Sequence, residues 1–204
     1  VMHDDQHGTA VVVLASLLSA TRVVGIDLKS CIVGQIGLGA AGLGIAKLLM
    51  AFGVEHVLGT DLNPNAMARL EKMGGNHCDL QDLMARSDVV VATTGVRGLI
   101  KPEWVRPGQV ILALTNPEPE IEPEVARAHG AAYAADGKSV NNVLAFPGIF
   151  RGALDSGADK ITEKMLIAAA QCLNSRAPKD CLVPDPLDRS VHMAVAEAVA
   201  RAAE

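Results

Sequence analysis

The residue types able to carry chemistry fall into a few short stretches. Gly37, Gly39 and Gly42 repeat as G-x-G-x-x-G, with Leu38, Ala40 and Ala41 between them, directly after the apolar run Ile32–Ile36. In that setting Gly37 permits a tight turn, Gly39 lets backbone approach a pyrophosphate, and Gly42 lets a following helix lie close to the strand. Ala40 and Ala41 belong to the same candidate site, and the helix that follows the turn would aim its free N–H groups and positive dipole end at phosphates. A second apolar run, Val57–Thr60, ends in Asp61. Asp61 lies about 20 residues past the turn, where an acid bonds the ribose hydroxyls of an adenosine. The pattern predicts a dinucleotide site. Asp61 also points to NAD over NADP, because a carboxylate there bonds a 2′-hydroxyl and repels a 2′-phosphate.

Two other polar pairs stand out. Asp4 and Asp5 lie in or just before the first turn of a helix, where carboxylates are favoured by the dipole. They are also the oxygen-bearing type that Mg²⁺ or Mn²⁺ takes, although one or two carboxylates do not make a cage. Asn141 and Asn142 sit between Val140 and Val143. Amides buried there must be hydrogen-bonded, so they either brace a loop or face a polar ligand.

The elements that must position these residues alternate along the chain. An amphipathic helix is expected from Val12, Leu14, Leu17, Leu18 and Val23. Strands are expected at Ile32–Ile36, Val57–Thr60, near Cys78, at Asp88–Ala92, Gln109–Leu114 and Ala131–Ala135. Helices are expected after Gly42, at Ala66–Met73, Asp79–Arg86, Glu122–Gly130, Ile149–Ser156, Ile161–Asn174 and Val191–Ala203. This alternation implies an α/β fold, a Rossmann-like doubly wound, mostly parallel sheet with helices on both faces. Ligands in such sheets bind beyond the carboxyl ends of the strands. Those ends carry Gly37–Gly42, Asp61, Thr93-Thr94-Gly95, Thr115-Asn116 and the stretch from Asp136 to Asn142.

Composition narrows the classes. Half of the 204 residues are hydrophobic but only 2% are aromatic, so Val, Ile, Leu and Ala must fill the core. That suits a parallel sheet covered on both faces. The net charge of −5 argues against nucleic acid or an anionic membrane as partner. The run Val11–Ala20 is too short to span a bilayer and lacks the positive flank of a signal peptide. Cys31, Cys78, Cys172 and Cys181 form no C-x-x-C pair and read as reduced thiols of a cytoplasmic protein.

Four segments in order, HDDQHGTA (His3–Ala10), GLGAAG (Gly37–Gly42), ALTNPEPEI (Ala113–Ile121) and VNNVLAFPGIFRGALD (Val140–Asp155), closely resemble the cofactor-binding domain of bacterial malic enzymes. LVPDPLDRSV (Leu182–Val191) resembles that family's C-terminal segment, so the likeness spans essentially the whole chain. The resemblance implies an NAD-binding domain over residues 1–204, with 1–30 a leading helix that would join an N-terminal catalytic domain. It also implies L-malate oxidised at C2 by hydride transfer, then metal-assisted decarboxylation to pyruvate. On the same ground Asp5 would ligate Mg²⁺ or Mn²⁺, and Asp4 would orient the catalytic lysine. Asn116 and Asn142 would hold the malate carboxylate, with Asn141 supporting the loop. A homo-oligomer, a dimer, is the implied assembly.

The family's general-base Lys, general-acid Tyr, carboxylate-binding Arg and two further acidic ligands lie upstream of the D-D motif. Lys29 and Tyr133 are of the right types but do not match those positions. The expectation is therefore a polypeptide, opening on Val1, that binds dinucleotide and turns over malate poorly by itself. The rival readings are a malolactic enzyme on the same scaffold and a binding-only Rossmann domain.

Overall fold

The fold is taken from a computed structural model that describes residues 3–140, 142–179 and 181–203, without the side chains of Asp4, Asp5 and Ser139. Six strands form one parallel sheet: β1 (Ile32–Ile36), β2 (His56–Thr60), β3 (Asn76–His77), β4 (Val89–Ala92), β5 (Val110–Ala113) and β6 (Tyr133–Asp136). Their order is β3-β2-β1-β4-β5-β6. The chain winds outward from β1 on one side, then returns to lay β4 on the other. The crevice between the carboxyl ends of β1 and β4 is thus the switch point of a doubly wound sheet.

Both faces of the sheet are covered, which is why the central strands β4 and β5 are apolar at every position rather than at alternate ones. Val89, Val91, Val110 and Leu112 enter one core with α1 (Thr9–Val24), α2 (Ala40–Phe52), α3 (Pro64–Lys72), α6 (Phe146–Asp155), α7 (Glu163–Arg176) and α8 (Arg189–Ala203). Val90, Ala92, Ile111 and Ala113 enter the other with α4 (Leu80–Arg86) and α5 (Pro123–Ala128).

The leading helix differs from its sequence expectation. α1 is not amphipathic in its setting: nearly every residue from Ala10 to Thr21 is buried, and the helix lies in the core against α2 and α7. Its buried hydroxyls are satisfied within the helix, Ser16 Oγ donating to Val12 O at 2.8 Å and Thr21 Oγ1 to Leu17 O at 2.7 Å. Asn174 of α7 donates from Nδ2 to Ser19 Oγ at 2.8 Å, joining the two helices. The helical stretch Gln6–Val24 is long and apolar enough to cross a membrane, with a mean hydropathy of 1.5, but 67% of it is buried inside the fold. The apolarity that made the run conspicuous is that of a central core helix.

Smaller differences follow from local chemistry. The third strand ends at His77, one residue before Cys78, and Asp79 caps α4 by accepting from Asp82 N at 2.8 Å. α6 begins at Phe146, three residues earlier than Ile149, because Pro147 fits the first turn of a helix, where its missing N–H is not needed. β6 runs Tyr133–Asp136, two residues later at its start than expected, which carries Asp136 to the rim.

Candidate functional site

The glycine turn follows directly from β1. Gly37 has φ +85°, a left-handed conformation that side chains rarely adopt, and its N–H donates to Thr60 O at 2.9 Å. Gly42 lies so close on that turn that a Cβ there would stand 1.9 Å from Gly37 O. Gly39 is different. Its φ of −68° suits any residue, and a Cβ would meet no described atom within 4 Å. The open space therefore lies in front of the first turn of α2, where helix N–H groups have no intrahelical partner. A cradle of that shape fits a pyrophosphate.

Asp61 closes the adjacent side. Its Oδ2 accepts from Leu38 N at 2.6 Å and its Oδ1 from Asn63 N at 2.8 Å. The carboxylate is thus pinned to the glycine turn itself, and each oxygen keeps a lone pair for a ribose hydroxyl.

On the other side of β1 the structure shows a cleft of about 640 Å³ over the carboxyl ends of β4, β5 and β6. Ala41, Thr93 and Gly95 line it, and so do Asn116 and Asn142. Residues from the glycine turn, the β4 loop, the β5 loop and the segment after β6 therefore share one cavity. Among the described residues lining it, Lys138 is the charged one; its Nζ stands 3.5 Å from Asp136 Oδ2.

Other candidate residues fall elsewhere. Thr94 turns from the cleft: its N–H and its hydroxyl donate to Glu120 Oε1 at 2.7 and 2.9 Å. The side chains of Asp4 and Asp5 lie outside the described residues, as does the whole of Asn141. Among the described residues no group of three or more His, Cys, Asp or Glu could hold a metal ion.

Two site residues escaped the sequence reading. Gln35, fully buried in β1, donates from Nε2 to Gly37 O at 3.1 Å and to Thr93 Oγ1 at 2.9 Å, tying the glycine turn to the β4 loop. Glu120 is fully buried beneath the cleft and binds the β4 and β5 loops. A glutamine inside an otherwise apolar central strand was a usable signal, since such a group must find partners. Glu120, one of two glutamates in Pro117-Glu118-Pro119-Glu120, carried none.

Burial lifts the Cys31 thiol pKa above its ordinary value, with Asp88 and Asp27 adding to the effect. It lifts the Tyr133 hydroxyl in the same way. Neither group lines the cleft.

Strand order, glycine turn and the acid after β2 together define a Rossmann dinucleotide-binding domain. The family described as "Malic enzyme, NAD binding domain" matches residues 64–204, and "D-isomer specific 2-hydroxyacid dehydrogenase, NAD binding domain" matches 7–98. This chain belongs to the malic enzyme NAD-binding-domain family. It is similar to NAD-dependent malic enzyme 1 of Bacillus subtilis, 60% identical over the whole chain and 46% of that protein. It is 40% identical to the bifunctional malic/malolactic enzyme of the same organism, over the whole chain and 56% of that protein. The crystal structure of malic enzyme from Pyrococcus horikoshii Ot3 superposes with a TM-score of 0.89 at 34% identity, covering 98% of this chain and 54% of that one. The chain spans about half the length of the known relatives it matches.

Proposed function

We propose that this chain is the cofactor-binding part of an NAD-dependent malic enzyme, which oxidatively decarboxylates L-malate to pyruvate and CO₂. The observation that carries the reading is the shared cavity: residues of the pyrophosphate turn and two asparagines line the same cleft. NAD, when bound, supplies the acceptor for the hydride from malate C2. The chain's own residues bind and orient. The turn Gly37–Gly42 and the start of α2 hold the pyrophosphate, and Asp61 holds the adenosine ribose. Asn116 and Asn142 donate amide hydrogen bonds to a substrate carboxylate, fixing the small acid beside the β4 loop. Holding two reactants in one orientation removes much of the entropic barrier to their reaction.

A divalent cation belongs to the same reading. Asp5 is its proposed ligand, but one carboxylate does not complete a cage and the described residues do not supply the others. The general base and acid of the resemblance match no residue of this sequence. Without them each proton transfer loses a factor typically on the order of 10²–10⁴. The 204 residues alone should bind NAD and turn over malate poorly.

Isothermal titration of the chain with NAD and NADP tests the binding half of this reading. NAD should bind more tightly, and failure to bind NAD at concentrations on the order of 1 mM would sink it. A malolactic reading has one specific support, the likeness to the bifunctional enzyme. Following NADH absorbance together with pyruvate and lactate separates the two outcomes: NADH appears only with pyruvate.

A further inference from the structure

We propose that Glu120 is a positioning residue, its buried carboxylate setting the spacing of the two loops that form the nicotinamide half of the cleft. The inference rests on the reading of the cleft as an NAD site.

Glu120 is fully buried, yet no cation neutralises it among the described residues. Four hydrogen-bond donors surround it instead. Oε1 accepts from Thr94 N at 2.7 Å, Thr94 Oγ1 at 2.9 Å and Thr115 Oγ1 at 2.5 Å, while Oε2 accepts from Thr115 N at 3.3 Å. Thr94 lies at the start of the loop after β4 and Thr115 at the start of the loop after β5. One carboxylate therefore grips both. The grip extends to the cleft wall, because Thr115 Oγ1 also accepts from Gly95 N at 2.9 Å. Backbone contacts add to it, with Ile100 N donating to Glu120 O at 3.0 Å and Gly98 N to Pro119 O at 3.1 Å.

Glu120 does not line the cleft; Thr93, Gly95, Thr115 and Asn116 do. It acts through them. A charged acceptor inside the protein makes stronger hydrogen bonds than a neutral one, and removing it takes the partner from each of these part-buried donors. The glycine turn has its own ties, through Gln35 to Thr93 and through Asp61 to Leu38. The adenosine and pyrophosphate end of the site is thus held without Glu120. In a doubly wound sheet the second mononucleotide lies on the far side of the switch point from the acid after β2. That places nicotinamide on the β4–β5 side, where Glu120 works.

Glu120→Gln removes the charge and keeps the shape. Its amide must turn an NH₂ toward either Thr115 N–H or the donors now bound to Oε1, so one donor faces another in any orientation. Glu120→Ala removes all four bonds. Both variants are titrated with NAD and with ADP-ribose, which lacks the nicotinamide, and melting temperature is followed alongside. Glu120→Gln should weaken NAD about threefold or more and leave ADP-ribose within about twofold, with Glu120→Ala the larger effect if it folds. Equal losses for both ligands would show a purely structural role and overturn the proposal. A loss of NAD affinity under about threefold in Glu120→Gln would overturn it as well. Gly39→Val in parallel tests the underlying reading: if NAD binding survives that change, the cleft is not the dinucleotide site and the fault lies there.

Discussion

Gly39→Ala adds one methyl group at the fingerprint glycine that the protein itself leaves uncrowded. The residue has φ −68° and ψ −165°, and a Cβ would find no described atom within 4 Å. The folded chain should accept it with a loss under about 1 kcal/mol, the scale of changing an N-cap glycine. For a chain of this size that is a melting shift of roughly 2–4 °C. Ligand binding should suffer far more, because the methyl group occupies the space a pyrophosphate must enter. Losing one hydrogen bond to a charged group removes about 1.5–3 kcal/mol. At 1.4 kcal/mol per decade, NAD affinity should fall on the order of 10- to 100-fold. Gly42→Ala is the contrast, since its Cβ would stand 1.9 Å from Gly37 O and backbone must move. Overpacking of that kind costs about 1–3 kcal/mol, or a melting shift of up to roughly 10 °C. Calorimetric titration and thermal melting of the two variants decide the matter. If Gly39→Ala bound NAD as tightly as the parent, the open space at the turn would not be the phosphate cradle.

Further outcomes follow from the same geometry. Asp61→Ser should weaken NAD and narrow the gap to NADP, by removing the charge that repels a 2′-phosphate; paired titrations read it. The same change frees Leu38 N from its 2.6 Å partner and should lower the melting temperature. Ser87→Ala should leave stability unchanged or raise it by about 1 kcal/mol, because Ser87 Oγ is buried with no partner among the described residues. Among the thiols, burial and the nearby Asp88 and Asp27 carboxylates raise the Cys31 pKa, so less thiolate is present at a given pH. Iodoacetamide at pH 8 should therefore label exposed Cys181 before buried Cys31, by mass spectrometry. Labelling of Cys31 should climb as pH rises through its elevated pKa, and equal early labelling of both would contradict the burial argument.

Much of the scaffold was legible because parallel sheets write themselves plainly into sequence. A strand buried on both faces needs unbroken apolar residues, as in Val89–Ala92 and Val110–Ala113, and the turns between strands need glycine, proline and caps. Asn63 and Asp79 cap helices in this way, accepting from Asn65 N and Asp82 N. The leading helix was harder. Its periodicity suggested one wet face, but a run of valine and leucine reads alike whether a helix lies half in solvent or inside a core. What decides is the presence of α2 and α7 packed around it, and those lie many residues away.

At the site, the sequence by itself showed the features that depend on local geometry. The spacing of Gly37, Gly39 and Gly42 is a short-range requirement of one turn, and Asp61 follows one strand later. Only the tertiary structure decided which distant residues meet. It brings Asn116 and Asn142 into a cavity with Ala41, turns Thr94 away, and sets Glu120 under both loops. The physical reason is that a buried charge is stable only where enough donors converge on it. Such convergence comes from strand order and register, which bring Thr94 and Thr115 onto one carboxylate and which no local pattern of residues contains.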